Sequence, residues 1–285
     1  MEQTAEEKYR NAFRQERPKH TDDAEFAFRH PRMNLDRRAK IFSPFAALKG
    51  FEEEIDSKLE EYALGTEAAE EEQEGMTEMC CRYYMEESPE LRPIVEAAQR
   101  SKLYRDHIGT VPRPLKIKGE VSPGDLVPVI ATGRTGKKAV FPMIWGYHVE
   151  GLARPIINAR SETAAEKATF RESWAMHRCV IPASWYMEWG RVPTENEKGR
   201  PRAKYAIAPK DEHLTWLCGL YRLEEGYPHF VVLTRPPGES VSFLHDRMPL
   251  ILPEEETDRW INPGINPHML LPSALTEMTA EKIAS

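Results

Sequence analysis

Four short stretches of this sequence set a reactive or ionisable group beside aromatic or apolar neighbours: MCCR at 79–82, INARSET at 157–163, SWYMEW at 184–189 and LHDRMP at 244–249. Glu188 alternates with bulky residues in a strand-like run. Removal from water there tunes a carboxylate toward giving and taking protons near neutral pH, whereas on a solvent-facing strand edge it would be an ordinary charge. His245, flanked by Asp246 and Arg247, reads either as an acid/base group held by its neighbours or as a histidine packed under a loop. Asn158 and Arg160 alternate, so on a strand they face one side and offer an amide and a guanidinium to a phosphate or sugar; a surface ion pair is the competing reading. Cys80 and Cys81 point to opposite faces of an extended chain, so only one of them enters a site shared with the other stretches.

The elements that must position these groups are largely strands. Residues 79–84 read as a strand, and a helix follows from Ser88-Pro89-Glu90 with Leu91, Ile94 and Val95 on one face. Residues 127–131 and 139–145 flank TGRTGKK in a hairpin pattern. That loop has two residues between its glycines where a phosphate-binding P-loop needs four, and no Ser or Thr follows its lysine. Thr163-Ala164-Ala165-Glu166 is a capping-box pattern that predicts a helix through about Met176. Strands recur at 179–182, 185–189, 205–208, 215–221 and 229–234, with a late helix after Pro253. The rhythm predicts an α+β domain, mainly antiparallel β-sheet, without βαβ units.

Charge divides the chain. Residues 1–78 hold 20 acidic and 12 basic side chains, and the remainder 26 and 27, within a net charge of −7. The first 30 residues read as a disordered, solvated tail. Residues 31–64 read as a small helical segment, with Ile55, Leu59 and Tyr62 at helical spacing. Residues 65–78 read as an acidic linker, and 79–285 as the main domain. Phosphate would repel the acidic part, while a near-neutral body binds nucleic acid if its basic residues cluster. At 40% hydrophobic residues the chain can build a core, so global disorder is excluded. No apolar run reaches the roughly 20 residues of a membrane helix, and the start is too charged for a signal peptide. A soluble, cytoplasmic protein with no membrane partner is expected. The four cysteines show no CxxC spacing and the histidines no ligand spacing, so neither a metal nor a cofactor is expected.

Together, MCCRY at 79–83, Trp145-Gly146, INARSET, CVIPASWYMEW at 179–189, CGLY at 218–221 and HDRMPLIL at 245–252 resemble the SRAP family of SOS response-associated peptidase-like, abasic-site processing proteins. The resemblance spans about 79–285. It implies a barrel-like fold with flanking helices, and a protein that binds single-stranded DNA and covalently captures abasic sites in the DNA-damage (SOS) response. Its peptidase-like name would place it among hydrolases or proteases, its chemistry nearer lyases, and its location at the nucleoid when DNA-bound. By the same resemblance Cys80 is the catalytic cysteine, Glu188 the proton-transfer glutamate and His245 the histidine, while Asn158 and Arg160 contact DNA. Arg82, Trp145, Thr234 and Arg247 lie in matching stretches as further DNA contacts, with Trp145 placed to stack on or wedge a base. Cys81 departs from the family, which usually has glycine there. Residues 30–64 weakly resemble the short YolD-like proteins of Gram-positive bacteria, and 34–62 read as a docking element for a replication or repair partner or as an extension without function.

The implied chemistry joins an abasic aldehyde to a free α-amine as an imine, which the thiol of the same residue closes into a thiazolidine. Only an N-terminal cysteine offers both groups. An α-amine with pKa near 7.7–8.0 is about one-tenth unprotonated at pH 7. In this chain the nitrogen of Cys80 is an amide, so the crosslinking form requires translation starting at Met79 or cleavage after it. The purine-rich codons that Glu71-Glu72-Gln73-Glu74-Gly75 demand favour internal initiation. Two other readings stand beside this one: a cysteine hydrolase using Cys80, His245 and Glu188, and a non-catalytic scaffold that holds single strands.

Overall fold

The computed structural model describes residues 82–106, 113–190 and 203–283. The tail at 1–30, the helical segment at 31–64, the linker at 65–78, and both Cys80 and Cys81 lie outside the described residues.

Among the described residues, twelve strands form two sheets. In order they are β1 (Arg82–Met85), β2 (Gly119–Val121), β3 (Leu126–Thr132), β4 (Lys138–Trp145), β5 (Asn158–Arg160), β6 (Arg178–Ala183), β7 (Trp185–Trp189), β8 (Lys204–Pro209), β9 (Thr215–Glu224), β10 (Tyr227–Arg235), β11 (Met248–Pro249) and β12 (Met278–Ile283). Helices α1 (Leu91–Arg100), α2 (Lys102–Asp106), α3 (Ala168–Met176) and α4 (Thr257–Ile261) flank them. The first sheet runs β12-β8-β7-β1-β2 and is antiparallel throughout. In the second, the pairings β10–β4, β4–β3, β3–β6, β6–β9 and β9–β10 return to their starting strand, so five strands close into a barrel. The architecture is the predicted α+β, mainly antiparallel class. Two exceptions are parallel, and both are made by β10, with β4 and with β5.

Closure explains the sequence pattern. β6 is buried at every position and β10 at all but its last, because the barrel interior takes one face and the packed first sheet, helices and loops take the other. Such strands read as continuous apolar runs rather than alternating ones. Gly219, in the middle of β9, shows how tight the ring is: a Cβ there would lie 2.7 Å from both Ile181 Cδ1 and the Val231 carbonyl oxygen. The β9–β10 hairpin turns on Glu225 and Gly226, both at positive φ, the conformation of a two-residue turn whose twist matches its strands. The TGRTGKK loop is the turn between β3 and β4, and a strand rather than a helix follows it.

α1 begins where Ser88 Oγ accepts from the backbone N–H of Leu91, with Leu91 and Ala98 buried and Ile94 and Val95 half-buried against the core. The helix predicted from Thr163 is corrected. Residues 161–166 form successive turns, α3 starts only at Ala168, and Thr163 Oγ1 is buried without a hydrogen-bond partner. The chain at Ser161 is still tied to β10, its N–H donating to the Thr234 carbonyl. Helical winding therefore waits until the turns have carried the backbone away from the sheet. The late helix appears as a 3₁₀ turn at Glu254–Glu256 running into α4. Among the described residues, no helix is long and apolar enough to cross a membrane.

One buried cation joins the helices to the barrel. Arg178 is 1% exposed, and its guanidinium donates five hydrogen bonds, all to backbone carbonyls: Trp260, Trp174, Ala175, Asn262 and Ile265. Four of these oxygens belong to the last turns of α3 and α4 or the residue beyond, where helix geometry leaves carbonyls unpaired and the dipole favours positive charge. The Trp260 ring lies beneath the charge. Replacing Arg178 by methionine should therefore cost about 3–5 kcal/mol, the range for breaking a buried charged network. R178K should recover only part of it, since an ammonium has three donors for five acceptors. Urea melts of the three proteins measure this, and a loss under about 1 kcal/mol in R178M would contradict it.

Candidate functional site

A small cavity of about 20 Å³, room for roughly one water-sized group, opens between the first sheet and the barrel. Arg82 and Tyr83 line it from β1, Tyr186 and Glu188 from β7, Asn158 from β5 and Thr234 from β10. Trp145, Val232, Leu217 and Pro249 complete its apolar wall. The register explains the convergence. Arg82 pairs with Met187, placing Glu188 one residue along from the start of β1, while Asn158 and Arg160 pair with Val232 and Thr234. Pleat alternation turns Tyr186 and Glu188 to one face.

Asn158 is 1% exposed, and its Nδ2 has no hydrogen-bond partner among the described residues. A buried amide donor left unmet costs free energy, and here it borders a cavity where a ligand oxygen would meet it. Glu188 is 3% exposed, with Oε1 accepting from the Trp189 backbone N–H at 3.0 Å. Arg160 lies at the exposed end of the same strand. Trp145, expected to stack on or wedge a base, has a buried ring whose Nε1 donates to the Ile157 carbonyl and which stacks on Phe230 at 5.9 Å. It walls the cavity.

His245 and Arg247 reach the site from the loop before β11. His245 is half-buried and is not among the cavity-lining residues. Its Nδ1 accepts from the Arg247 backbone N–H at 3.0 Å, which places the proton of the neutral ring on Nε2. The Arg247 side chain forks onto both carboxylate oxygens of Glu162, at 2.7 and 2.8 Å, and donates to Thr234 Oγ1 at 3.2 Å. Burial alone would raise the Glu162 pKa, but the Arg247 hydrogen bonds outweigh it and hold the carboxyl below its ordinary value. Arg82 is held likewise. Its guanidinium pairs with Glu120, which also accepts from Lys204 at 2.7 Å, and both cations lie over the Trp189 ring.

The structure thus brings together Arg82, Trp145, Asn158, Glu188 and Thr234 around one cavity, with Arg247 bonded to Thr234 and His245 to Arg247. Arg160 stands at its exposed margin. Cys80 lies two residues before Arg82 in the chain. Sequence reasoning missed the two tyrosines of the lining, Tyr83 and Tyr186, the apolar residues Leu217, Val232 and Pro249, and Glu162 beside it. Tyr186 was legible, being two residues before Glu188 on the same strand face. Glu162, inside the INARSET stretch, was not, because only the fold shows that Arg247 comes to it across 85 residues. The arrangement combines a buried carboxylate, a vacant amide donor and several guanidinium groups, a set suited to moving protons beside an anionic ligand.

A family model described as SOS response associated peptidase (SRAP) matches residues 79–285. The chain is 33% identical over 146 residues to the abasic site processing protein YoaM of Bacillus subtilis, covering 48% of this chain and 62% of that protein. It is 35% identical over 119 residues to YoqW of the same bacterium, covering 40% and 51%. The chain thus spans between half and two thirds of these two relatives. Against the abasic site processing protein YedK of Escherichia coli the match is 27% over 193 residues, covering 66% and 82%. Among solved structures, a phage-related protein of Bordetella bronchiseptica superimposes with a TM-score of 0.55 at 21% identity, covering 72% of this chain and 95% of that one. A Bacteroides thetaiotaomicron protein gives 0.54, also at 21% identity, over 72% and 93%.

Two stability measurements check the site's electrostatics. N158L removes an amide whose donor is unmet, so it should leave stability within about 1 kcal/mol of wild type, because no hydrogen bond of Nδ2 is lost. A loss of several kcal/mol in a urea melt would mean that the amide is structurally engaged. Glu162 has a depressed pKa when folded, so its contribution is present above the ordinary glutamate pKa of about 4.3 and fades as pH falls through the lower folded value. Solvent screening limits that contribution to below about 1 kcal/mol. E162Q should therefore be less stable than wild type at pH 6, and the difference should shrink as pH falls below the ordinary glutamate range, read from paired urea melts.

Proposed function

The chain belongs to the SRAP family, and from that footing we propose that residues 79–285 process abasic sites in single-stranded DNA, with Cys80 forming a covalent thiazolidine once it is N-terminal. The observation that carries the proposal is the vacant amide of Asn158 bordering the same small cavity as the buried carboxylate of Glu188. The start of β1 lies at that cavity, and two residues of chain span at most about 7 Å, so Cys80 has the reach to bring an amine and a thiol there. Membership of a family whose curated relatives are named abasic site processing proteins supports the substrate class.

The steps balance without a redox partner. The α-amine adds to the aldehyde of the ring-opened sugar and water leaves, forming the imine. The thiol sulfur then bonds to the imine carbon, its proton passing to the nitrogen, and the five-membered ring closes. Glu188 takes and returns protons during addition and dehydration, and His245, with a proton on Nε2, serves as a second proton donor from the loop before β11. Asn158 Nδ2 donates to an oxygen of the sugar. Arg82, Arg160 and Arg247 hold the flanking phosphates, contacts that position the strand without reading sequence. The cavity admits a group far smaller than a nucleobase, in keeping with a lesion that lacks one.

An amide nitrogen cannot form the imine, so the chain must first yield a free Cys80 amine, by internal initiation at Met79 or by cleavage after it. Incubating the full-length protein and a chain beginning at Met79, each with N-terminal mass verified, with single-stranded DNA carrying one abasic site tests this on a denaturing gel. A covalent band should form only with the shorter protein after loss of Met79, C80S should abolish it, and E188Q should slow it by about 10²-fold or more, the usual contribution of general acid–base catalysis. No band from either form, or a band that survives C80S, would overturn the reading.

A further inference from the structure

His148, Glu224 and His229 are absorbed neither by the cavity nor by the hydrophobic core. They come from three segments: the loop after β4, the end of β9 and the beginning of β10. Each offers one ligand atom, and these atoms lie within 4.8 Å of one another. Glu224 Oε2 is the meeting point, 2.8 Å from His148 Nδ1 and 3.4 Å from His229 Nδ1. We propose that these three side chains form a binding site for one divalent transition cation of the zinc type.

The donor set is that of a borderline-soft cation, two imidazoles and one carboxylate. Ligand atoms around zinc at about 2.0–2.2 Å stand roughly 3.0–3.6 Å apart, so the two separations from Glu224 Oε2, 2.8 and 3.4 Å, need only small adjustments, and the ring nitrogens already lie within 4.8 Å of each other. The surroundings are those of a carboxylate held for coordination. The other oxygen, Oε1, accepts from Arg222 Nε at 2.9 Å and from the His148 backbone N–H at 3.0 Å, an N–H that Oε2 shares at 3.2 Å while facing the two rings. Such outer partners fix the direction of a ligating carboxylate. The Gly146 carbonyl oxygen lies 2.8 Å from His229 Nδ1 and becomes a further oxygen donor when a cation takes the place of the ring proton, which moves to Nε2. The His148 side chain is 67% exposed while those of Glu224 and His229 are 14% and 9%. The site is therefore open on one side for entry and for a water ligand.

Its position gives the cation a structural task. The loop carrying His148 runs from Trp145 to Asn158, two walls of the cavity, and a cation would tie it to the turn end of the β9–β10 hairpin. No spacing in the sequence announces this site, because 76 residues separate His148 from Glu224.

Zinc itself is the probe. The untagged full-length chain carrying C80S and C81S, which removes the two thiols adjoining the proposed catalytic site as competing ligands, is titrated with Zn²⁺ against a chromophoric chelator. One equivalent should bind, and H148A and E224Q should each weaken binding at least about tenfold, the order of loss seen when a metal site's support is disturbed. Zn²⁺ should also raise the melting temperature of the parent protein but not that of H148A. His148 is exposed, so H148A should melt like its parent in the presence of a chelator. Absence of a stoichiometric Zn²⁺ site in the parent, or parental affinity in either variant, would overturn the proposal.

Discussion

The backbone hydrogen bonding of β10 is the constraint on which the molecule turns. Its residues pair with β9 and β4 to close the barrel, and its last residues pair with β5 and β11. A buried strand cannot leave N–H and C=O groups unmet, so the barrel-side elements that bring site residues must arrive in register with it. Asn158 and Arg160 come on β5, Thr234 belongs to β10, Trp145 ends β4 beside Phe230, and the loop bearing His245 and Arg247 leads into β11. Arg82 and Glu188 come from the other sheet, where β1 pairs with β7, so the candidate site lies where the backbone pairing of β10 meets that of β1 and β7.

Cations serve two different purposes in the fold. Arg178 is surrounded by carbonyl oxygens and cannot exchange them for a ligand without undoing two helix ends; its role is cohesion. Arg82 and Arg247, by contrast, pair with carboxylates, Glu120 and Glu162, that are themselves partly exposed. Such pairs are worth little in water, so exchanging the carboxylate for another anion would cost little.

The site is also economical in its burial. Glu188 and Asn158 are withdrawn from solvent by apolar walls, Trp145, Leu217 and Val232 among them, that belong to or adjoin the barrel core. Rigid aromatic and aliphatic packing sets where the polar atoms stand, and the polar atoms are few.

By itself the sequence determined most of the element inventory and named several of the residues that meet at the candidate cavity. The strand runs at 127–131, 179–182, 185–189, 215–221 and 229–234 appear within a few residues of their predicted bounds, because short apolar or alternating runs between turn residues express local pleat and burial. The motif residues Asn158, Glu188, Thr234 and Arg247 were legible because their order along the chain is itself the signature. Local reading failed at Thr163, where a capping pattern was overruled by the tie between Ser161 and Thr234. Only the tertiary structure decided that the second sheet closes on itself, that Glu162 clamps Arg247, that Arg178 draws two helix ends together, and that His148 meets Glu224 and His229. Each of these joins residues tens of positions apart, and such meetings are set by strand register and hydrogen-bond closure, which a local pattern of residue types does not encode.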